Sequence, residues 1–202
     1  MYRTITLLLI LITAVGCEKN HHPKIEIYLL NKRKSFKNCI PVKETDWYRE
    51  RAIDTVLFEL TVKAQYDTIR DKVVFAGEFD ALKSDINKTP FIKDDEIKYL
   101  VLNKATDEFV FNTEAAKRIN ELYPENSYGN QFVVTVDGNP VLTGYFWDGI
   151  SRFKCDWYHI SAPYNENFDI CLGFENGDIK CDSLLYPKRL TDAFRASGRL
   201  IK

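Results

Sequence analysis

Apolar and polar positions alternate from Lys24 to Leu30, a run rich in Ile, Tyr and Leu that predicts a strand. Between Asp54 and Lys63, Thr55, Leu57, Glu59 and Thr61 alternate with Val56, Phe58, Leu60 and Val62, which leans towards a second strand. Asp67 to Gly77 fits a hairpin around Arg70-Asp71, with Val73, Val74 and Phe75 in its second arm. Pro90 to Ile97 carries acidic residues and at most a short helical turn. Lys98 to Leu102 and Glu108 to Phe111 are short strands around Asn103 to Thr106. Thr113 to Tyr123 is the clearest helix, because Ala115, Ala116, Ile119, Leu122 and Tyr123 share one face at helical spacing. Asn112 or Thr113 can cap its free amides, Glu114 suits its positive end and Pro124 stops it.

The clearest hairpin follows. Gln131 to Val136 is a strand, Asp137-Gly138 is a strong turn signal, and Val141 to Trp147 returns. A second hairpin is expected from Asp169 to Phe174 and Asp178 to Asp182, turning at Glu175-Asn176-Gly177. A last helix is expected between Pro187 and Ser197, with Gly198 as its stop. No internal repeat or low-complexity stretch interrupts the chain after residue 23. The expected fold class is α+β: a single domain over 24–202, with a mostly antiparallel sheet, one clear amphipathic helix and a short C-terminal helix.

The first residues follow a different pattern. Arg3 precedes an eleven-residue apolar stretch from Ile5 to Val15, broken by Thr6 and Thr13. That is too short for a stable membrane-spanning helix, which needs about 20 apolar residues. It has the length of a secretory h-region. Ala14-Val15-Gly16-Cys17 then resembles the lipobox of bacterial lipoproteins. The resemblance implies removal of residues 1–16, lipid attachment at Cys17 with palmitate-type acylation, and a polar tether over 17–23. The family prefers Leu where Ala14 stands. Ala-Val-Gly also suits an ordinary signal peptidase, which would leave a secreted protein with a free Cys17. Two or more acyl chains hold a protein firmly to a bilayer. The expected location is therefore the cell envelope, on the outer membrane, with the lipid bilayer as first partner. Adjacent His21 and His22 read as solvated tether residues, since two ligands in a linker make a weak metal site.

A second resemblance spans residues 90 to 142. Glu108-Phe109-Val110-Phe111-Asn112-Thr113-Glu114-Ala115-Ala116-Lys117 resembles a segment in the periplasmic head of SecD-type protein-export subunits. There a strand leads into a helix opening E-G-A, followed by Gly-Asn and a strand ending in Asp-Gly, as Gly129-Asn130 and Phe132 to Gly138 do here. Pro90-Phe91-Ile92 with Asp94, Asp95 and Ile97 resembles that family's approach to the same strand. This chain has Ala115 where the family has Gly, and it lacks the glycine-rich continuation. The resemblance implies a shared α+β module and no translocation role. The whole chain also resembles small exported lipoproteins that carry a similar domain.

Charge and composition remove further classes. Lys plus Arg number 28 against 29 Asp plus Glu, so no basic excess marks a nucleic-acid partner. With 45% hydrophobic and 28% charged residues the chain is not of disordered composition. Lys32, Arg33, Lys34 and Lys37 form a basic loop, read as solvated, with a polyanion site as the alternative. No phosphate loop, serine elbow or metal-ligand spacing is present, so no catalytic residue, metal or cofactor is assigned. His159 lies in an aromatic strand and reads as a partly buried residue; a Cys155–His159 nucleophile pair would be about 13 Å apart along a strand.

Cys171 and Cys181 are the candidate disulfide. A three-residue loop would set them face to face, whereas a two-residue Asn176-Gly177 turn would set Cys171 opposite Asp182. Cys39 and Cys155 are left unassigned. Nine aromatics crowd the thirty residues from Tyr145 to Phe174. Since Tyr145, Phe146 and Trp147 are consecutive, one sheet face cannot bury all three, and at least one points outward or lies under a loop. Core packing of a sheet is the first reading of these aromatics; an exposed contact surface is the alternative, with Tyr145, Trp147 and Trp157 as its candidate residues. The expected function is that of a membrane-anchored, non-enzymatic protein-interaction domain with a possible envelope protein partner. The alternative is an envelope enzyme or a glycan- or peptide-binding protein.

Overall fold

A computed structural model describes residues 22–49, 63–102, 107–122, 128–147, 153–161, 167–172, 174–175, 178–179 and 186–202. Within these, the chain opens with strand β1 (Ile25–Leu29), β2 (Cys39–Pro41), a short helix α1 (Asp46–Arg49), β3 (Gln65–Asp67) and β4 (Lys72–Val74). It continues with β5 (Ile97–Val101), β6 (Asp107–Phe111), helix α2 (Thr113–Glu121), β7 (Asn130–Val136) and β8 (Asn139–Trp147). It closes with β9 (Tyr158–Ser161), β10 (Asn167–Leu172), β11 (Phe174–Glu175), β12 (Asp178–Ile179), helix α3 (Lys188–Ala196) and β13 (Leu200–Ile201). The fold is α+β, built on an eight-stranded sheet in the order β1-β7-β8-β9-β10-β6-β5-β13. Its pairs are antiparallel except β8 with β9 and β5 with β13. β2, β3 and β4 make a separate three-stranded sheet.

Alternation along the strands feeds two different cores. Phe109 and Phe111 of β6, Phe132 and Val134 of β7, Phe146 of β8 and Phe168 of β10 face one side. There they meet Ala115 and Ile119 of α2 and Leu190 and Phe194 of α3. The Asn112 carboxamide accepts the Ala115 amide at 2.8 Å and so starts α2 as expected. Gly198, at φ +68°, ends α3. On the other side Tyr145, Trp147 and Cys155 pack with Phe36, Val74, Ala76 and Phe79. Phe36, Val74, Ala76 and Phe79 thus cover the second face of the sheet at β8.

The outer edge of β1 is closed by irregular chain. The Ile27 amide donates to the Ile92 carbonyl at 2.9 Å, the Ile92 amide donates back at 3.0 Å, and the Asn87 amide donates to the Leu29 carbonyl at 3.0 Å. At its start, the Lys24 amide donates to the Asp137 carboxylate at 2.9 Å, and the Asp137 amide returns a bond to the Lys24 carbonyl at 2.8 Å. The N-terminal segment therefore joins the domain beside the β7–β8 turn.

One expectation changes and another lies outside the described residues. Phe174 pairs with Ile179 and Glu175 with Asp178, while β10 belongs to the large sheet between β9 and β6; residues 173, 176–177 and 180–182 of the expected hairpin lie outside the described residues. β10 is held there by its own partners, Phe168 opposite Phe109 and Ile170 opposite Ile160, so the turn does not set its register. The strand expected over Asp54 to Lys63 lies outside the described residues up to residue 62. The hairpin of β3 and β4, the pair β5–β6, the helix α2 and the hairpin β7–β8 stand where alternation and turn residues put them.

Candidate functional site

β1 runs out at Leu29, and the basic loop turns across its end. Arg33 is the fixed point of that loop. Its Nη1 donates to the Gly129 carbonyl at 3.1 Å, and its Nη2 donates to the carbonyls of Tyr128 and Phe75, each at 3.1 Å. The guanidinium carbon stands 5.7 Å from the Tyr145 ring centre and 5.8 Å from that of Phe36. Carbonyl dipoles and ring faces thus hold this cation, and no carboxylate pairs with it among the described residues. Desolvation of the guanidinium by these contacts lowers its pKa from the usual arginine value although the residue as a whole stays exposed, and an arginine so held keeps its charge.

Gly129 makes this grip possible. At φ +64° it occupies the left-handed region, and its carbonyl turns towards Arg33. Gln131, two residues on, ties down the loop from the other side. Its Oε1 accepts the Lys34 amide at 2.6 Å, and its Nε2 donates to the Lys34 carbonyl and to the Tyr145 hydroxyl, each at 3.2 Å. The Tyr145 hydroxyl in turn donates to the Gly77 carbonyl at 2.8 Å.

Beside this anchor lies a cleft of about 390 Å³, lined by Leu29, Leu30, Arg33, Lys63, Asn87 and the stretch Gly129 to Gln131. Among the described residues, two cations and no acid line it. Lys63 holds its Nζ 4.9 Å from the Tyr128 ring centre. Behind it Phe75, Phe153 and Tyr128 stack, Phe75 on Phe153 at 4.1 Å and Phe153 on Tyr128 at 5.5 Å. A second hollow of about 490 Å³ flanks the same loop and exposes Lys32 and Lys34, with Asp85 bonded to Lys34 at 3.0 Å. Elsewhere the charges balance: Lys24, Lys88 and Lys93 share a hollow with Glu26, Asp94 and Asp95. In a protein of formal net charge −1, the Arg33 loop is a local positive field. The purely solvated reading of that loop is corrected in part: Lys34 and Lys37 pair with acids, and Arg33 is built into the fold.

The candidate contact surface is corrected too. Tyr145 and Trp147 are 0% and 1% exposed, and both belong to the second core. β8 is a central strand with both faces covered, so Phe146 enters one core while its two neighbours enter the other. Trp157 is half-buried, and its Nε1 donates to the Thr143 hydroxyl at 3.0 Å. The covering chain satisfies these aromatics, and they present no shared outer face.

The remaining chemistry is structural. Cys17 lies outside the described residues. Cys171 is disulfide-bonded; Cys181 lies outside the described residues, and so does the sulfur that Cys171 meets. Cys39 and Cys155 are free thiols. His159 is fully buried on β9, opposite Tyr145 on one side and Cys171 on the other. Burial pushes its pKa down to about 4. Cys155 sits outside β9 and bridges to Ala76, which separates it from any shared site on that strand. Among the described residues no group of three His, Cys, Asp or Glu side chains is placed to hold a metal ion.

Burial pushes the Cys155 thiol strongly up, and burial with the nearby Asp67 charge pushes Cys39 up to about 11. Since the thiolate is the nucleophile, both should resist alkylation in native protein and react fully once it is denatured. Peptide mass mapping after iodoacetamide treatment reads this directly, and rapid native labelling of Cys155 would contradict its placement.

Sequence spacing did not single out this cleft. The one signal is an arginine among the lysines of Asn31-Lys32-Arg33-Lys34, since its planar fork can take several carbonyls at once. Lys63 and Asn87 carry no such mark. No protein-family model, curated protein or solved structure matches this chain.

Proposed function

We propose that this chain is a lipid-anchored envelope protein whose folded domain binds its ligand without transforming it. The carrying observation is the cleft beside Arg33: two cations, carboxamides and an apolar wall among the described residues, which are groups suited to hold an anion. No nucleophile with an adjacent base lines it among the described residues. The anchoring half rests on Cys17 at the end of the apolar leader and on the polar residues after it. The N-terminal segment joins the domain at Lys24, by the β7–β8 turn. Five residues of β1, at ~3.3 Å each, carry the cleft about 17 Å from that point.

Intact-mass measurement of the mature protein tests the anchor. The expected species begins at Cys17 and carries acyl mass. A chain beginning there without it, or one retaining residues 1–16, would refute the anchoring. A pull-down from envelope extract tests the binding half, with enrichment of a defined partner as the expected result and turnover of an envelope glycan or peptide as the contrary one.

A further inference from the structure

We infer that the Arg33 cleft receives a small carboxylate that carries a short aliphatic group, as the C-terminal end of a peptide does. This rests on the binding reading above and gives it a ligand class. Three unspent polar groups meet in the cleft. Lys63 makes no ion pair among the described residues and has only the Tyr128 ring beside its ammonium. Arg33 spends three of its N–H groups on carbonyls, and a guanidinium has five. Asn87 is pinned through its backbone amide to Leu29, while its carboxamide makes no hydrogen bond among the described residues. Gln131, by contrast, is fully committed to the loop and to Tyr145.

The placement selects the ligand. A carboxylate set between Lys63 and Arg33 gains two charge-assisted contacts, and no acid among the described residues lines the cleft to compete. The Asn87 carboxamide can both donate to and accept from a neighbouring peptide unit. Leu29 and Leu30 supply an apolar wall for an aliphatic side chain. Bare phosphate would leave that wall and the carboxamide unused. A volume of about 390 Å³ lies at the small end of ligand pockets, room for a terminal residue or two.

The test is calorimetric titration of the detergent-solubilised mature protein. The probes are acetyl-alanyl-leucine, the same dipeptide as its C-terminal amide, 4-methylpentanoate, acetate and inorganic phosphate. The acid dipeptide is expected to bind and the amide to bind about tenfold or more weakly, with affinity falling as salt is raised. Lys63→Gln should weaken the acid by about tenfold while leaving thermal unfolding unchanged. Asn87→Asp, which puts a negative charge into the cleft, should weaken it further, and Lys83→Gln, an exposed lysine outside the cleft, should do nothing. Equal binding of 4-methylpentanoate would identify a free organic acid as the source, and weaker binding a peptide terminus; both keep the ligand class. Equal binding of acid and amide, or acetate or phosphate matching the dipeptide acid, would overturn it. If no probe binds while the envelope pull-down still captures a partner, the cleft assignment falls and the binding domain stands.

Discussion

Gly129→Ala is expected to cost about 2–5 kcal/mol of folding stability. Two costs add. At φ +64° an L side chain is strained, by about 1–2 kcal/mol. The new Cβ would also stand 2.6 Å from Trp147 Cε3 and 2.9 Å from the Phe146 carbonyl oxygen. Neither neighbour yields easily: Phe146 offers backbone, and Trp147 is buried edge-on to Tyr145 with ring centres 6.3 Å apart. Overpacking of that kind costs a further ~1–3 kcal/mol. The Gly129 carbonyl also holds Arg33, so movement there loosens the basic loop. Gly138 is the control. It has φ +68° with nothing within 4 Å of its added Cβ, so Gly138→Ala should show the strain alone. Urea unfolding of both variants separates the terms, and equal losses would show that the Trp147 contact is not tight.

The second large effect is an acid destabilisation that begins above the carboxylate range. His159 has its pKa driven down to about 4 by burial, against about 6.5 in an unfolded chain. Between those values the unfolded state takes up a proton that the folded state refuses. Stability is therefore complete above about pH 6.5 and declines as pH falls towards 4, by about 3 kcal/mol in all. Glu96 follows later: its contact with Arg118 holds its pKa below the usual glutamate value despite the opposing desolvation, so its contribution is lost at lower pH. Urea midpoints measured down this range should fall steadily in the wild type and flatten in His159→Gln. A wild-type profile that stays level between neutral pH and pH 5 would mean that His159 is solvated in the native state.

The elements that were legible in the sequence are those with local causes. β7 and β8 are named by alternation on both sides of Asp137-Gly138, whose φ values of +52° and +68° the turn requires. Helix α2 is named by its apolar stripe and by Asn112. What could not be read has distant causes. Nothing near β9 or β13 announces that each pairs in parallel with a strand before it. The run Tyr145-Phe146-Trp147 declares two opposed faces, yet whether the second is wet or covered depends on Phe36, Val74 and Phe79, far earlier in the chain. The cleft is hidden for the same reason. Residues 33, 63, 87 and 129 meet because β1 lies beside β7, a pairing that no local pattern encodes.

That pairing bears on how the protein reaches its place. β1 leaves the ribosome early and must wait for β7: the contact between Lys24 and Asp137 spans 113 positions, and that between Asp94 and Arg199 spans 105. Long-range closures of this kind fold slowly, because loop entropy is spent before any contact repays it. A chain whose first strand finds its neighbour only after two thirds of the sequence has been made stays threadable for that interval. The interleaved sheet is thus a built-in delay between synthesis of the first described strand and closure of the native structure.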